Sequence, residues 1–158
     1  MRLPTSFGRA VSSRLLSDIS PMRFFFYGTL RDPEIRLLVL GPGDGALPVI
    51  SGILRHWRCV QMIGVPYPVI VPSRGSTVQG CVSADLGQPA AARLLRYEGV
   101  EYRVRTCPVY VEAQQEPLSV GVFTPSPRAR PSSRLWVFED WARKERSATL
   151  RRIRMATE

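Results

Sequence analysis

The sequence predicts a small mixed α+β barrel of about six strands, with two short helices and a C-terminal helix. Three observations lead there. Apolar or alternating runs with strand character recur at about six places along the chain. Helix-like stretches are few and do not alternate regularly with the strands, which argues against a doubly wound parallel sheet. The length of 158 residues suits one domain, at roughly 100–200 residues per domain, with enough chain for a sizeable core.

Arg23-Phe24-Phe25-Phe26-Tyr27 is an aromatic run with the character of a buried strand, and Gly28 and Thr29 break it. Asp32-Pro33 reads as an N-cap followed by an N1 proline, opening a helix through Glu34 to about Leu40. Gly41-Pro42-Gly43-Asp44-Gly45 then forms a loop. Apolar residues from Leu47 to Met62 suggest one long strand or two short ones. Tyr67 to Val71 and Val78 to Ala84 read as two separate strands. A helix is expected from Pro89 to Glu98, propagated by Ala90, Ala91 and Ala92 and stopped by Gly99 at C′. Tyr102 to Val111 alternates as a strand, with Pro108 marking a bulge or an edge. Leu118 to Phe123 is the last expected strand, and Pro125 to Ser133 reads as a Pro/Arg/Ser linker. Trp136, Phe138, Trp141 and Leu150 are expected on one final helix, as core contacts that hold it to the barrel.

The formal net charge is +9, and Lys144 is the single lysine among 22 basic residues. Residues 1–22, 23–127 and 128–158 carry net +2, +2 and +5. The excess therefore lies at the ends, and the near-balanced middle offers no helix-turn-helix, zinc-finger or RNP-like pattern. A nucleic-acid-binding role ranks last, and no nucleic-acid partner is expected. No apolar run approaches the roughly 18 residues of a membrane span, so no membrane partner is expected either.

Cys59, Cys81 and Cys107 are widely spaced and odd in number, and His56 is the single histidine. Neither a disulfide framework nor a metal site has support, so the thiols read as buried and inert and the chain as cytoplasmic. His56 reads as a structural or surface residue. A Ser–His hydrolase is excluded because the chain has no G-x-S-x-G elbow. Residues 1–21, with Ser and Arg but few acids, read as a transit-type leader or as a start that belongs at Met22. Order is not expected there.

Two features carry chemistry. Tyr27-Gly28-Thr29-Leu30 falls between a strand and a helix N-terminus, where backbone N–H groups can meet a carboxylate or a developing oxyanion. Local context alone reads it as a plain turn. Glu98 falls at the C-terminal end of its helix, where the macrodipole disfavours negative charge; a half-buried carboxyl there would have a raised pKa. Local context alone favours an exposed Glu98 at a frayed end. Glu101, entering a strand, is the rival carboxylate and is expected to pair with a neighbouring arginine.

Together the two features change this reading. Phe26 to Glu34 resembles the Y-G-[ST]-L-x-x-P opening of the γ-glutamylcyclotransferase superfamily, especially its AIG2-like branch. Tyr67-Pro68-Val69-Ile70, Val78-Gln79-Gly80, Tyr97-Glu98-Gly99 and Tyr102-Arg103 follow in the order of that branch. The resemblance runs from about Arg23 to Phe123 and gives residues 22–124 as the γ-glutamylcyclotransferase-like domain. Residues 125–158 are then the linker and basic C-terminal helix packed on it.

The resemblance implies a mixed barrel with one cavity, no cofactor and Glu98 as general acid/base. It also implies that Tyr27, Gly28, Thr29 and Leu30 hold the γ-glutamyl group, with Tyr102 as a further binding residue. The partner it implies is a small-molecule γ-glutamyl amine or γ-glutamyl amino acid, converted to 5-oxoproline and a free amine. The substrate's own α-amine would attack its γ-carbonyl, so no Ser or Cys nucleophile is needed; a carboxylate moving the protons is worth about 10²–10⁴-fold. Two positions depart from the family pattern. Leu94-Leu95 stands where many relatives carry Leu-Asp, and Phe123 lies near a position that often holds a tyrosine. They leave substrate identity open, and with it a non-catalytic relative that binds a small carboxylate or amide.

Overall fold

The aromatic run forms the innermost strand. In a computed structural model that describes residues 23–156, β1 (Phe24–Phe26) has all three side chains buried. It lies antiparallel to β3 (Pro68–Val82), with Phe25 opposite Val82, and parallel to β5 (Leu118–Pro125), with Phe24 opposite Gly121. Strand β2 (Ile50–Met62) pairs antiparallel with β3 over most of its length and touches β4 (Tyr102–Val111) at Gly52 and Ile53. β4 in turn pairs antiparallel with β5. The order β3-β1-β5-β4-β2 thus closes through the β2–β3 pairing into a five-stranded mixed barrel, and β6 (Pro131–Leu135) is added outside on β2. The leader reading for residues 1–21 lies outside the described residues.

The described residues also form four α-helices, α1 (Pro33–Leu40), α2 (Gln88–Glu98), α3 (Phe138–Lys144) and α4 (Arg146–Ala156). The core joins both aromatic and aliphatic sides, from Phe24, Phe25 and Leu30 through Ile70 and Val109 to Leu94 on α2. Among the described residues no helix is long and apolar enough to cross a membrane.

Three expectations need correction. The two strands expected at Tyr67–Val71 and Val78–Ala84 are one, β3, which continues through Pro72 and Gly75. The register against β2 shifts between Arg55 and Trp57, so that residues 73–76 bulge opposite His56. His56 is exposed at φ 70, and its Nδ1 accepts the Gly75 N–H at 3.2 Å, which fits the structural role expected of it. Secondly, β6 begins inside the expected linker at Pro131 and runs past its end to Leu135; its largely exposed residues form a strand because Val60 and Met62 offer a free edge to Leu135 and Pro131. Thirdly, the final helix is two helices separated at Glu145, and Trp136 precedes them both.

The aromatic residues of this last segment are core contacts, as expected. Trp136 and Trp141 are buried, and with Phe138 they form a cluster with ring centroids 5.6–6.3 Å apart. Trp136 Nε1 also donates to the Pro66 carbonyl at 2.9 Å. The tail's charge is partly internal: Arg146 pairs with Asp32 and Glu34, Arg154 with Glu34, and Arg143 with Asp140.

Candidate active site

The chain leaves β1 at Phe26, runs through Tyr27 and Gly28 and enters a 3-10 turn at Thr29–Arg31 before α1 begins. Asp32 fixes that path. Its Oδ1 accepts the N–H groups of Glu34 at 2.9 Å and Ile35 at 3.1 Å, the N-cap expected from the sequence. From inside α1, the Arg36 guanidinium reaches back to the carbonyls of Leu30 at 2.9 Å and Arg31 at 2.8 Å. All four residues from Tyr27 to Leu30 are buried. Tyr27 is tied down as well, its hydroxyl donating to the Phe123 carbonyl at 2.6 Å.

Glu98 reaches the same region from α2. The helix buries Ala90, Ala91, Leu94 and Tyr97 on the barrel side and ends where Gly99 takes φ 83, a left-handed value that a side chain would oppose. That stop makes Glu98 the last helical residue, and it is 4% exposed. Local context favoured an exposed carboxyl; tertiary burial overrides it. Burial pushes the Glu98 carboxyl up to about 8.

Three tyrosines surround this group. Burial raises the phenols of Tyr27, Tyr97 and Tyr102 above their ordinary value, and the Glu98 charge adds to the shift at each. The Tyr97 hydroxyl lies 2.8 Å from Thr29 Oγ1, joining the end of α2 to the motif turn. Tyr102 opens β4 and donates its hydroxyl to the Pro68 carbonyl. Phe123 packs edge-on to Tyr102 and stacks on Phe24, so it fills the wall apolarly. Leu95 is half-buried and its carbonyl accepts the Gly99 N–H at 3.2 Å. The structure therefore puts Tyr27 and Tyr102 within electrostatic reach of the buried Glu98 carboxyl, with Thr29 linked to its neighbour Tyr97 and Gly28 and Leu30 in the same turn as Thr29.

A recess of about 240 Å³ opens beside this group. It is lined by Tyr27, Arg31, Arg58, Cys59, Trp136 and Phe138, among others, and not by Gly28, Thr29, Leu30, Tyr102 or Glu98. Tyr27 is the wall common to both. Sequence reasoning missed Tyr97 as a hydrogen-bonding partner and missed every residue of the recess except Tyr27, because Arg31, Arg58 and Trp136 come from three separate segments. Cys59, partly buried at this recess, has its thiol pushed up to about 12 by burial. Glu101, the rival carboxylate, is half-buried beside a smaller recess that also includes Arg128 and Arg130. Among the described residues no group of three or more His, Cys, Asp or Glu is placed to hold a metal ion.

Comparisons with known proteins match the chain to a described family. Residues 24–143 match the family model for gamma-glutamyl cyclotransferase, AIG2-like. AIG2-like protein C of Arabidopsis thaliana is 28% identical over 134 residues, covering 84% of this chain and 76% of the relative. The solution structure of an Arabidopsis thaliana protein superposes with a TM-score of 0.63 at 27% identity, covering 82% of this chain and 86% of that one. A solved gamma-glutamyl cyclotransferase shares the fold, with a TM-score of 0.57 at 14% identity over 84% of this chain and 86% of that one.

Proposed function

Because the chain belongs to the AIG2-like gamma-glutamyl cyclotransferase family, we propose that it releases 5-oxoproline and a free amine from a small γ-glutamyl substrate, with Glu98 as general acid/base. One observation carries this reading: a glutamate 4% exposed, at a helix end beside the Tyr27–Leu30 turn, with its carboxyl raised to about 8. A carboxyl titrating near the working pH is suited to moving protons in both directions.

The reaction then runs without an added nucleophile. The substrate's α-ammonium gives a proton to the ionised Glu98, and the freed amine attacks the γ-carbonyl carbon to form the new C–N bond of the ring. The backbone donors of the turn from Tyr27 to Leu30 hold the glutamyl chain folded back and meet the charge developing on the carbonyl oxygen. Glu98 returns its proton to the departing nitrogen as the old C–N bond breaks, then takes the second proton of the new ring nitrogen and passes it to the released amine, which leaves as an ammonium and restores the ionised carboxylate. Substrate atoms account for both products, so the step as written consumes no water, cofactor or redox partner. Tyr102 and Tyr97 contribute the walls that keep the carboxyl dry.

Mass-spectrometric detection of 5-oxoproline from a panel of γ-glutamyl amines and γ-glutamyl amino acids tests this function. Stoichiometric 5-oxoproline and amine are expected. Release of glutamate instead, or no product from any member, contradicts it.

A further inference from the structure

The last helix, α4, lies beyond the residues that match the family, yet its arginines reach two of the segments that build the site. Arg146 binds Asp32, the cap of α1, at 2.5 Å. Arg152 goes elsewhere. Its Nη1 donates to the Tyr67 hydroxyl at 2.8 Å, with its Cζ 6.0 Å from the ring centroid. Among the described residues Arg152 is in no ion pair. Tyr67 is 5% exposed and stands immediately before β3.

A phenol can both accept and donate, whereas a guanidinium only donates. Arg152 therefore occupies the acceptor side of Tyr67 and leaves the phenol's own O–H to donate. Among the described residues that hydroxyl has no second hydrogen-bond partner. The phenol belongs to the set around Glu98 all the same. Tyr67 is one of the groups that raise the neighbouring Tyr97 phenol, whose oxygen lies 2.8 Å from Thr29 Oγ1. The carbonyl of Pro68, the next residue, accepts the Tyr102 hydroxyl. A buried donor that the protein leaves unused, in electrostatic reach of Tyr97, is suited to an oxygen of a bound ligand.

We infer that Arg152 is a positioning residue of the site: acting through Tyr67, it holds that hydroxyl ready to donate a hydrogen bond to an oxygen of the glutamyl group. The inference rests on the cyclotransferase reading proposed above and adds α4 to the elements that build the site. Arg152 fixes the phenol oxygen without touching substrate. Its charge also strengthens the donor, because hydrogen bonds in a chain polarise one another.

The full-length protein is assayed with a γ-glutamyl substrate as wild type, Arg152→Met, Tyr67→Phe and the double variant. Arg152 is exposed and Tyr67→Phe keeps the ring, so each variant is expected to fold. Tyr67→Phe should raise KM about two- to ten-fold, the scale of one hydrogen bond, with kcat changed less. Arg152→Met should raise KM in the same direction and add nothing further in the Tyr67→Phe background. Arg152→Lys, which keeps a donor, should recover part of the loss. Arg151→Met, which removes a charge at the adjacent exposed position, should behave as wild type. Equal effects of Arg152→Met with and without the Tyr67 hydroxyl, or wild-type kinetics in Arg152→Met, overturn the inference. A readout independent of turnover is the NMR spectrum of ring-labelled tyrosine, in which single Tyr→Phe variants assign the five signals. Arg152→Met should move the Tyr67 and Tyr97 signals and leave Tyr110 in place; an unmoved Tyr97 signal overturns the inference. If no substrate gives 5-oxoproline, the cyclotransferase reading fails, while the tyrosine spectra still decide whether Arg152 positions these phenols.

Discussion

The Tyr97 hydroxyl and Thr29 Oγ1 lie 2.8 Å apart, so the residue before Glu98 is hydrogen-bonded to the motif turn from 68 positions away. Both side chains are buried, and neither can turn to water without loss. Tyr97→Phe keeps the ring and removes the bond. We expect it to cost about 1 kcal/mol of stability and to lower kcat several-fold by loosening Glu98. Thr29→Ala is expected to cost a similar amount, and the double variant less than the sum of the two, as urea denaturation with a double-mutant cycle would measure.

Glu98 makes stability depend on pH in a direction opposite to that of most carboxylates. Its folded pKa, about 8, lies above the unfolded value, so its contribution is fully present below about pH 4 and is lost as pH rises through 8. Ionising it in the folded state costs on the order of a few kcal/mol. Glu98→Gln removes that cost. Its Tm relative to wild type should therefore rise between pH 5 and pH 8 by scanning calorimetry, and a constant difference across that range contradicts the burial argument.

The clamp between the tail and the motif runs through Asp32. Burial alone would raise this carboxyl, but Arg146 and the amides of Ile35 and Glu34 together hold it below its ordinary value. Asp32→Ala loses the cap and the ion pair and should cost about 1–2 kcal/mol. Arg146→Met leaves the cap intact at a partly exposed pair and should cost less than about 1 kcal/mol. Because the Asp32 pKa is depressed, its contribution is present at neutral pH and lost as pH falls through the folded value, so the Asp32→Ala penalty should shrink in acid. Chemical denaturation at neutral and acid pH reads both effects.

Gly80 marks a close approach that no other residue fits. A Cβ there would stand 2.2 Å from the Phe26 carbonyl oxygen and 2.8 Å from the Phe25 ring, and Phe26 immediately precedes the motif turn. Gly80→Ala should cost about 3 kcal/mol, at the upper end of overpacking penalties. An unchanged denaturation midpoint would show that β1 can move aside.

The sequence made legible those parts whose signals are local. Asp32-Pro33 marked the start of α1 because capping depends on adjacent residues. Gly99 marked the end of α2, and so the position of Glu98, because a positive φ favours glycine. β3 was split because only its two ends, Tyr67 to Val71 and Val78 to Ala84, carry an apolar strand pattern, whereas pairing with β2 carries the strand through the residues between them. β6 was invisible because exposed Ser and Arg residues form a strand there only against the edge of β2. The burial of Glu98, its bridge through Tyr97 and the arginine recess all depend on contacts between distant segments, which no local pattern records.

The central claim is that one buried carboxyl moves the protons of the cyclisation. Its most direct test is kcat/KM for 5-oxoproline release by wild type and by Glu98→Gln at pH 8, with folding of the variant checked by its Tm. The variant should fold at least as stably as wild type and lose about 10²–10⁴-fold in kcat/KM. A folded Glu98→Gln protein that keeps wild-type activity would contradict the account.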